Sequence, residues 1–234
     1  MSRAVIIGVG MTPFGKFPER TIRSLALEAI EGAIHDSGIA MERIERVFFG
    51  NAVAGIITQQ EMIRGQVGLR HHPLGGIPVY NIENACASGG SAFNLAVEAV
   101  SAGTIDVALA VGVELLNHAD RSRPFNALRG STDIEDIGEA EPGHASTHSL
   151  LMEYYAGVAQ EYLDKYGASP ADFARVAVKN RNNAALNPRA HLLVQRATLL
   201  RRERADAVTA LLHPLALLRR QSRRRGGCRP PAPA

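Results

Sequence analysis

Only two cysteines occur among the 234 residues, Cys86 and Cys228, far apart and in unrelated surroundings. That scarcity excludes a disulfide framework and any zinc motif built on paired cysteines. Long apolar runs are also missing, since no stretch approaches the ~20 consecutive apolar residues that a membrane helix requires. The first residues pass directly into the strand-like Ala4-Val5-Ile6-Ile7 without a signal-peptide pattern, so the expected location is cytoplasmic. What remains, 46% hydrophobic and 21% charged residues, is the composition of a globular chain long enough for a sizeable core.

Lysine is absent from one part of the chain. Residues 1–188 carry 15 Lys+Arg against 21 Asp+Glu, a net −6, whereas residues 189–234 carry 11 Arg, no Lys and 2 acids, a net +9. The overall +3 and the pI of 9.1 are therefore tail properties, and nucleic-acid binding is not expected of the body. The tail includes Arg223-Arg224-Arg225 and Pro230-Pro231-Ala232-Pro233. One reading is a basic, partly disordered arm that touches nucleic acid or an acidic surface. The other is out-of-frame translation of a high-GC coding sequence, which yields Arg, Ala and Pro while avoiding Lys. The second is the expectation adopted.

Elements alternate through the body. A strand is predicted at about 3–9, then Thr21 as N-cap of a helix running to about Ser37, with Leu25, Ala29, Ile30, Ala33 and Ile34 on one face and Gly38 ending it. A strand at 44–50, a short helix around Gln59 to Leu69, a strand at 77–82, a helix from Cys86 to Ala102 and a strand at 105–112 follow. This β-α-β-α-β-α-β order implies an α/β fold with a mainly parallel sheet covered on both faces. The run Val107-Ala108-Leu109-Ala110-Val111 suits a strand buried on both sides. Residues from Asn117 to about Thr147 form too long a connection for an ordinary loop, marking a functional or inserted region. Helices at about Ser149 to Lys165 and after Ser169-Pro170 come next, and Asn187-Pro188 closes the second.

One segment carries chemistry. In Asn81-Ile82-Glu83-Asn84-Ala85-Cys86-Ala87-Ser88-Gly89-Gly90-Ser91 a cysteine sits where a strand gives way to a helix, followed by small residues that admit a close backbone. A helix N-terminus offers unpaired N–H groups and a positive dipole end, which favour a thiolate and can hold an oxyanion. Attack of a thiolate on an acyl-CoA exchanges one thioester for another of similar energy, so a cysteine is suited to reversible acyl transfer. Taken without its neighbours, a lone cysteine is more often a small buried hydrophobe.

The neighbours change that balance. The segment resembles the nucleophile segment of thiolases, in particular the branch related to the thiolase part of sterol carrier protein X and to bacterial lipid-transfer-protein thiolases. The likeness extends in order through Val5-Ile6-Ile7-Gly8-Val9-Gly10-Met11-Thr12-Pro13-Phe14-Gly15, Val111-Gly112-Val113-Glu114, Tyr162-Leu163-Asp164-Lys165-Tyr166-Gly167 and Val178 to Pro188, about 80% of the chain. It implies a fold of two similar βαβαβαβ halves with a CoA-binding loop domain inserted in the first. On that division residues 1–116 are the N-terminal core half, 117–190 the inserted loop region and 191–234 the aberrant tail. The implied activity is an acyl-CoA C-acyltransferase of fatty-acid or sterol side-chain metabolism, with coenzyme A as substrate and no separate cofactor. A homo-oligomer is also implied, and lipid transport is named in the same branch.

Cys86 is the one catalytic residue the resemblance transfers, as acyl-thioester nucleophile. The family's Gly-His-Pro and Cys-x-Gly segments belong to the second half; His213-Pro214 lacks the preceding glycine and Cys228-Arg229-Pro230 the following one. The chain is therefore expected to be a truncated, inactive half. The alternative is a non-catalytic acyl-CoA- or lipid-binding fragment acting with a partner chain. A weaker likeness is to ketoacyl synthases, which use carrier-protein substrates.

Other signals carry less. Gly8-Val9-Gly10 lacks the third glycine and the immediate helix of a dinucleotide fingerprint. His71-His72 are adjacent, and His144 and His148 lack an intervening glutamate, so no metal site is expected. Arg121, Arg123 and Arg129 could meet CoA phosphates, but an ordinary solvated face is the reading adopted. The out-of-frame reading predicts that another frame of the coding DNA beyond codon 190 continues into Gly-His-Pro and Cys-x-Gly segments. Translating all frames checks it, and absence of both segments from every frame would leave the tail native.

Overall fold

Thr21 starts the first helix, α1 (Ile22–Ser37), by a reciprocal pair of hydrogen bonds: Ser24 N–H donates to Thr21 Oγ1 at 3.1 Å and Thr21 N–H to Ser24 Oγ at 3.0 Å. Gly38 ends it in the left-handed conformation at φ 66°. The computed structural model describes residues 4–120, 122–133, 135 and 150–191. Its residues fall into two compact units, one drawn from residues 1–12 and 16–149, the other from 13–15 and 150–234.

The first unit is an α/β layer structure. Strand β1 (Arg46–Gly50) lies between β2 (Val79–Ile82) and β3 (Ala108–Gly112), all parallel, with Val47 opposite both Val79 and Leu109. Alternate side chains of β1 enter opposite layers. Val47 and Phe49 join Ala26 and Ile30 of α1 and Leu69 of α3 (Arg64–Leu69), whereas Phe48 joins Ala92 and Ala96 of α4 (Ser88–Ser101). Phe49, Ile30, Ile57, Leu69 and Val47 are fully buried, each contributing about 1.5–3 kcal/mol by transfer from water. Arg23 of α1 donates to the Val67 carbonyl of α3 at 3.0 Å, tying together the two helices on that face.

Three expectations change in detail. Of the helix expected around Gln59 to Leu69 only α3 is formed, and a separate short helix, α2 (Ala54–Thr58), precedes it, because Gln59 at φ 68° and Ile63 at φ 46° turn the chain left-handed between the two. The Cys86 to Ala102 helix begins as a 3-10 turn, Ala85–Ala87, before α4.

The expected strand at 3–9 is not formed. Residues 4–10 have no regular structure, and Val5, Ile6 and Val9 are 76%, 68% and 67% exposed. A strand needs a neighbour's N–H and C=O groups at hydrogen-bonding distance, and here the segment is separated by a groove from the nearest sheet edge, that of β3. It is held instead against α1. A side chain at Gly8 or Gly10 would collide with the α1 main chain, and Val9 N–H donates to the Asp36 carboxylate at 2.9 Å.

The first unit also contains α5 (Ser122–Arg129), whose entry is fixed by Asp120 accepting from Ser122 N–H and Oγ. Those bonds hold the Asp120 carboxyl below its ordinary pKa. The second unit is a helix pair, α6 (Leu150–Tyr166) and α7 (Pro170–Ala184), with the ring of Tyr162 against Tyr166 and Phe173. Ser169 caps α7 and donates from both its N–H and its hydroxyl to Asp172, lowering that carboxyl's pKa. No described helix is long and apolar enough to cross a membrane. The tail beyond His191 and its two readings lie outside the described residues.

Thr21→Ala is expected to cost about 1 kcal/mol of stability, and Thr21→Ser much less. Urea unfolding of the variants measures both.

Candidate active site

The chain leaves β2 at Ile82 and enters α4 through five residues that set the position of Cys86. Ala85, immediately before it, has φ 45°, a left-handed conformation costing a non-glycine residue roughly 1–2 kcal/mol. Four hydrogen bonds oppose that cost. Ala85 N–H donates to Glu83 Oε1 at 2.6 Å, Asn84 N–H to Ser88 Oγ at 2.9 Å, Ser88 Oγ to the Ala85 carbonyl at 2.8 Å, and Asn84 Nδ2 to Ser91 Oγ at 2.8 Å. Ser88 is itself buried, so its hydroxyl serves the turn and not solvent.

This turn rests on the sheet. A Cβ at Gly50, the last residue of β1, would lie 2.6 Å from the Ser88 carbonyl oxygen, and one at Gly112, the last of β3, would lie 3.1 Å from Gly89 Cα. A side chain is excluded at Gly50, and at Gly112 it would force the neighbouring main chain to give by a few tenths of an ångström. Cys86 is thereby held at the carboxyl ends of parallel strands, where open α/β sheets place their ligands. Its thiol is free and exposed. Because α4 continues the 3-10 turn, the N–H of its first residue, Ser88, already donates to the Ala85 carbonyl, and what the helix start offers a thiolate or an oxyanion is the positive end of its dipole.

A second set of polar residues braces the same strand ends. Buried Asn51 follows β1; its Nδ2 donates to the Val113 carbonyl at 2.7 Å and to Glu114 Oε1 at 3.3 Å. Glu114 Oε2 accepts from the N–H groups of Ala52 and Val53, at 3.1 and 2.9 Å. Arg64 donates to Asn51 Oδ1 at 2.7 Å and to the Ala52 carbonyl at 2.8 Å. Asn51 N–H also reaches the Ile82 carbonyl at 3.1 Å, so the ends of all three strands are joined. Sequence reasoning passed over Asn51 and Arg64. The one available signal was an asparagine directly after an apolar strand, a polar group that burial obliges to find partners.

The remaining candidates are dispersed. None of the described histidines, His35, His71, His72, His118 and His191, is hydrogen-bonded to Cys86. His72 accepts from Leu74 N–H through Nδ1 and donates from Nε2 to Glu31 at 2.8 Å, a fastening between loop and helix. Arg123 donates to the Ile57 carbonyl at 3.1 Å, so its guanidinium is engaged in packing α5 on α2. Arg121, His144, His148, His213 and Cys228 lie outside the described residues.

With that geometry in place, comparison with known proteins is informative. The family description "Thiolase, N-terminal domain" matches residues 4–197. An acetyl-CoA acetyltransferase of Methanothermobacter thermautotrophicus is 34% identical over 81% of this chain and 47% of its own length. Sterol carrier protein 2 of Gallus gallus is 31% identical over 80% of this chain and 34% of its own. A solved structure described as an Ltp2-ChsH2(DUF35) aldolase, 23% identical, has the same fold, with a TM-score of 0.50 over 80% of this chain and 45% of that one. The chain belongs to the thiolase family. It spans less than half the length of these relatives.

Gly50→Ala is expected to displace the start of α4, because the new methyl group meets main chain that cannot rotate away. Cys86 alkylation by iodoacetamide should then change rate by about tenfold, a shift worth ~1.4 kcal/mol, while far-UV circular dichroism stays near that of the parent. An unchanged alkylation rate would show that the close approach does not position the thiol.

Proposed function

We propose that Cys86 is the acyl-carrying nucleophile of a thiolase-type acyl-CoA C-acyltransferase. The observation that carries this reading is the exposed thiol at the start of α4, on a turn fixed by four hydrogen bonds and pressed onto the strand ends at Gly50 and Gly112. In the thiolysis direction the thiolate attacks the 3-oxo carbon of a 3-oxoacyl-CoA, and the positive dipole end of α4 favours the negative oxygen. The C2–C3 bond breaks, the shortened acyl group stays on Sγ, and the departing acetyl-CoA or propanoyl-CoA carbanion takes up a proton. Free CoA thiolate then attacks the acyl–Sγ carbonyl and regenerates the cysteine thiolate. Reversal of the same steps is a Claisen condensation.

No described histidine is bonded to Cys86, so the base that activates the thiol and the acid that protonates the carbanion come from outside the described residues. This arrangement favours acyl exchange without turnover for the chain alone, with residues 117–190 contributing to the CoA side. The substrates we assign are acyl-CoA and CoA, in fatty-acid or sterol side-chain metabolism, in a cytoplasmic homo-oligomer.

A second reading is a non-catalytic acyl-CoA- or lipid-binding fragment that works with a partner chain. It is favoured by the lack, among the described residues, of a histidine hydrogen-bonded to Cys86.

Incubation with acetyl-CoA, followed by peptide mass spectrometry, is expected to find the acetyl group on Cys86, released by hydroxylamine and absent from Cys86→Ala. Steady-state thiolysis of acetoacetyl-CoA should be at background. Acyl-CoA binding without acylation would support the fragment reading, and normal turnover would overturn the dependence on residues elsewhere.

A further inference from the structure

Of the four hydrogen bonds that form the Cys86 turn, three join residues that travel with α4: Asn84 to Ser88, Ser88 to Ala85 and Asn84 to Ser91. The fourth starts on the sheet. Glu83 directly follows Ile82, the last residue of β2, and its Oε1 accepts from Ala85 N–H at 2.6 Å. Ile82 is itself fixed, because its carbonyl accepts from the N–H of buried Asn51 at 3.1 Å, and Arg64 donates to Asn51 at 2.7 Å. A line of contacts therefore runs from the strand-end brace through Asn51, Ile82 and Glu83 to Ala85, the residue before Cys86.

Ala85 needs a hold at that point. Its φ of 45° is a rotation about the N–Cα bond, and the two sides of that bond are gripped separately. On the carbonyl side Ser88 donates twice, from its N–H and from its hydroxyl. On the amide side the acceptor is the Glu83 carboxylate. Left-handed backbone is disfavoured for alanine, so with the amide released the bond would rotate back, and Cys86, next in the chain, would turn with it.

That the acceptor is a carboxylate is informative. Glu83 is the one charged side chain between residues 81 and 91, and among the described residues no Lys, Arg or His is ion-paired with it. Its negative charge stands three residues from a thiol whose reactive form is also negative, an arrangement that works against the thiolate. The other charged groups at this end of the sheet are engaged elsewhere, Glu114 with the N–H groups of Ala52 and Val53, Arg64 with Asn51 and the Ala52 carbonyl. What accounts for an unpaired carboxylate here is mechanical. A charged acceptor bonds an amide more strongly than a neutral one does, and a disfavoured backbone calls for the stronger hold.

We propose that Glu83 is a positioning residue for Cys86, holding Ala85 left-handed and so presenting the thiol at the start of α4. Its meaning for acyl transfer rests on the reading of Cys86 as nucleophile; its effect on where the thiol sits does not.

Glu83 is exposed, so replacing it removes no core packing. Three variants of the full chain separate its roles. Glu83→Gln keeps an acceptor oxygen, Glu83→Ala removes it, and Glu83→Ala combined with Ala85→Gly supplies a residue that takes positive φ without cost. Because Cys86 is already exposed, loosening the turn gains the thiol no access and takes it from the dipole end of α4. Alkylation by iodoacetamide, read on the Cys86 peptide by mass spectrometry, is therefore expected to be about tenfold slower in Glu83→Ala than in the parent. Glu83→Gln should stay within about threefold of the parent, and the double variant should return to within about threefold of Glu83→Gln. Equal rates in Glu83→Ala and Glu83→Gln, or a loss that Ala85→Gly does not restore, would overturn the proposal. Uptake of the acetyl group from acetyl-CoA is measured on the same proteins. If the alkylation order holds while the parent takes up no acetyl group, the nucleophile reading fails and the positioning stands; if the parent is acetylated and the alkylation rates are equal, the positioning alone fails.

Discussion

At Gly50 the sheet and the start of α4 approach so closely that no side chain fits between them, and at Gly112 even a methyl group would be crowded. The constraint acts on main chain, which cannot swing aside as a side chain can. It fixes the height of α4 above the strand ends, and with it the place of the turn carrying Cys86. The internal bonds of that turn orient it, with Ser88 bridging Asn84 and Ala85. Asn51, Glu114 and Arg64 perform the complementary task from the other side, holding the strand ends in one register. Cys86 is thus positioned by backbone contacts and a polar brace.

The two faces of the sheet are built unequally. One is closed by α1 and α3 over Val47, Phe49, Leu109 and Val111. The other has, among the described residues, α4 over Phe48, with small alanines at Ala92 and Ala96 that let the helix lie close. Small residues give close approach but little buried area, so this face contributes less to stability by transfer from water. α4 is thereby held as much by the glycine contacts at its start as by its packed length.

How much of this was legible in the sequence follows from the range of each interaction. Thr21, Gly38 and the apolar face of α1 form a unit within a few residues, and the structure reproduces it. The Cys86 segment was legible for the same reason, its turn being made from residues 83–91. Asn51 and Glu114 are 63 residues apart, and nothing local to either announces the pairing. The break between α2 and α3 was hidden because Gln59 and Ile63 adopt left-handed backbone without glycine. Residues 4–10 had the composition of a strand, but a strand is a property of two segments and its neighbour could not be read from one.

Time adds a further consequence to the exposed Val5-Ile6-Ile7 run. Synthesis proceeds from the N-terminus at roughly 5–20 residues per second, and unpaired apolar strands are the parts of a nascent chain most open to wrong association. These residues emerge before β3, which lies on the far side of their groove and follows about a hundred residues later. The early fastening of Gly8 and Gly10 to α1, which is complete by Ser37, gives the run a local anchor through that interval. The glycines that keep this segment from being a better strand by propensity are the same ones that let it wait safely on a helix.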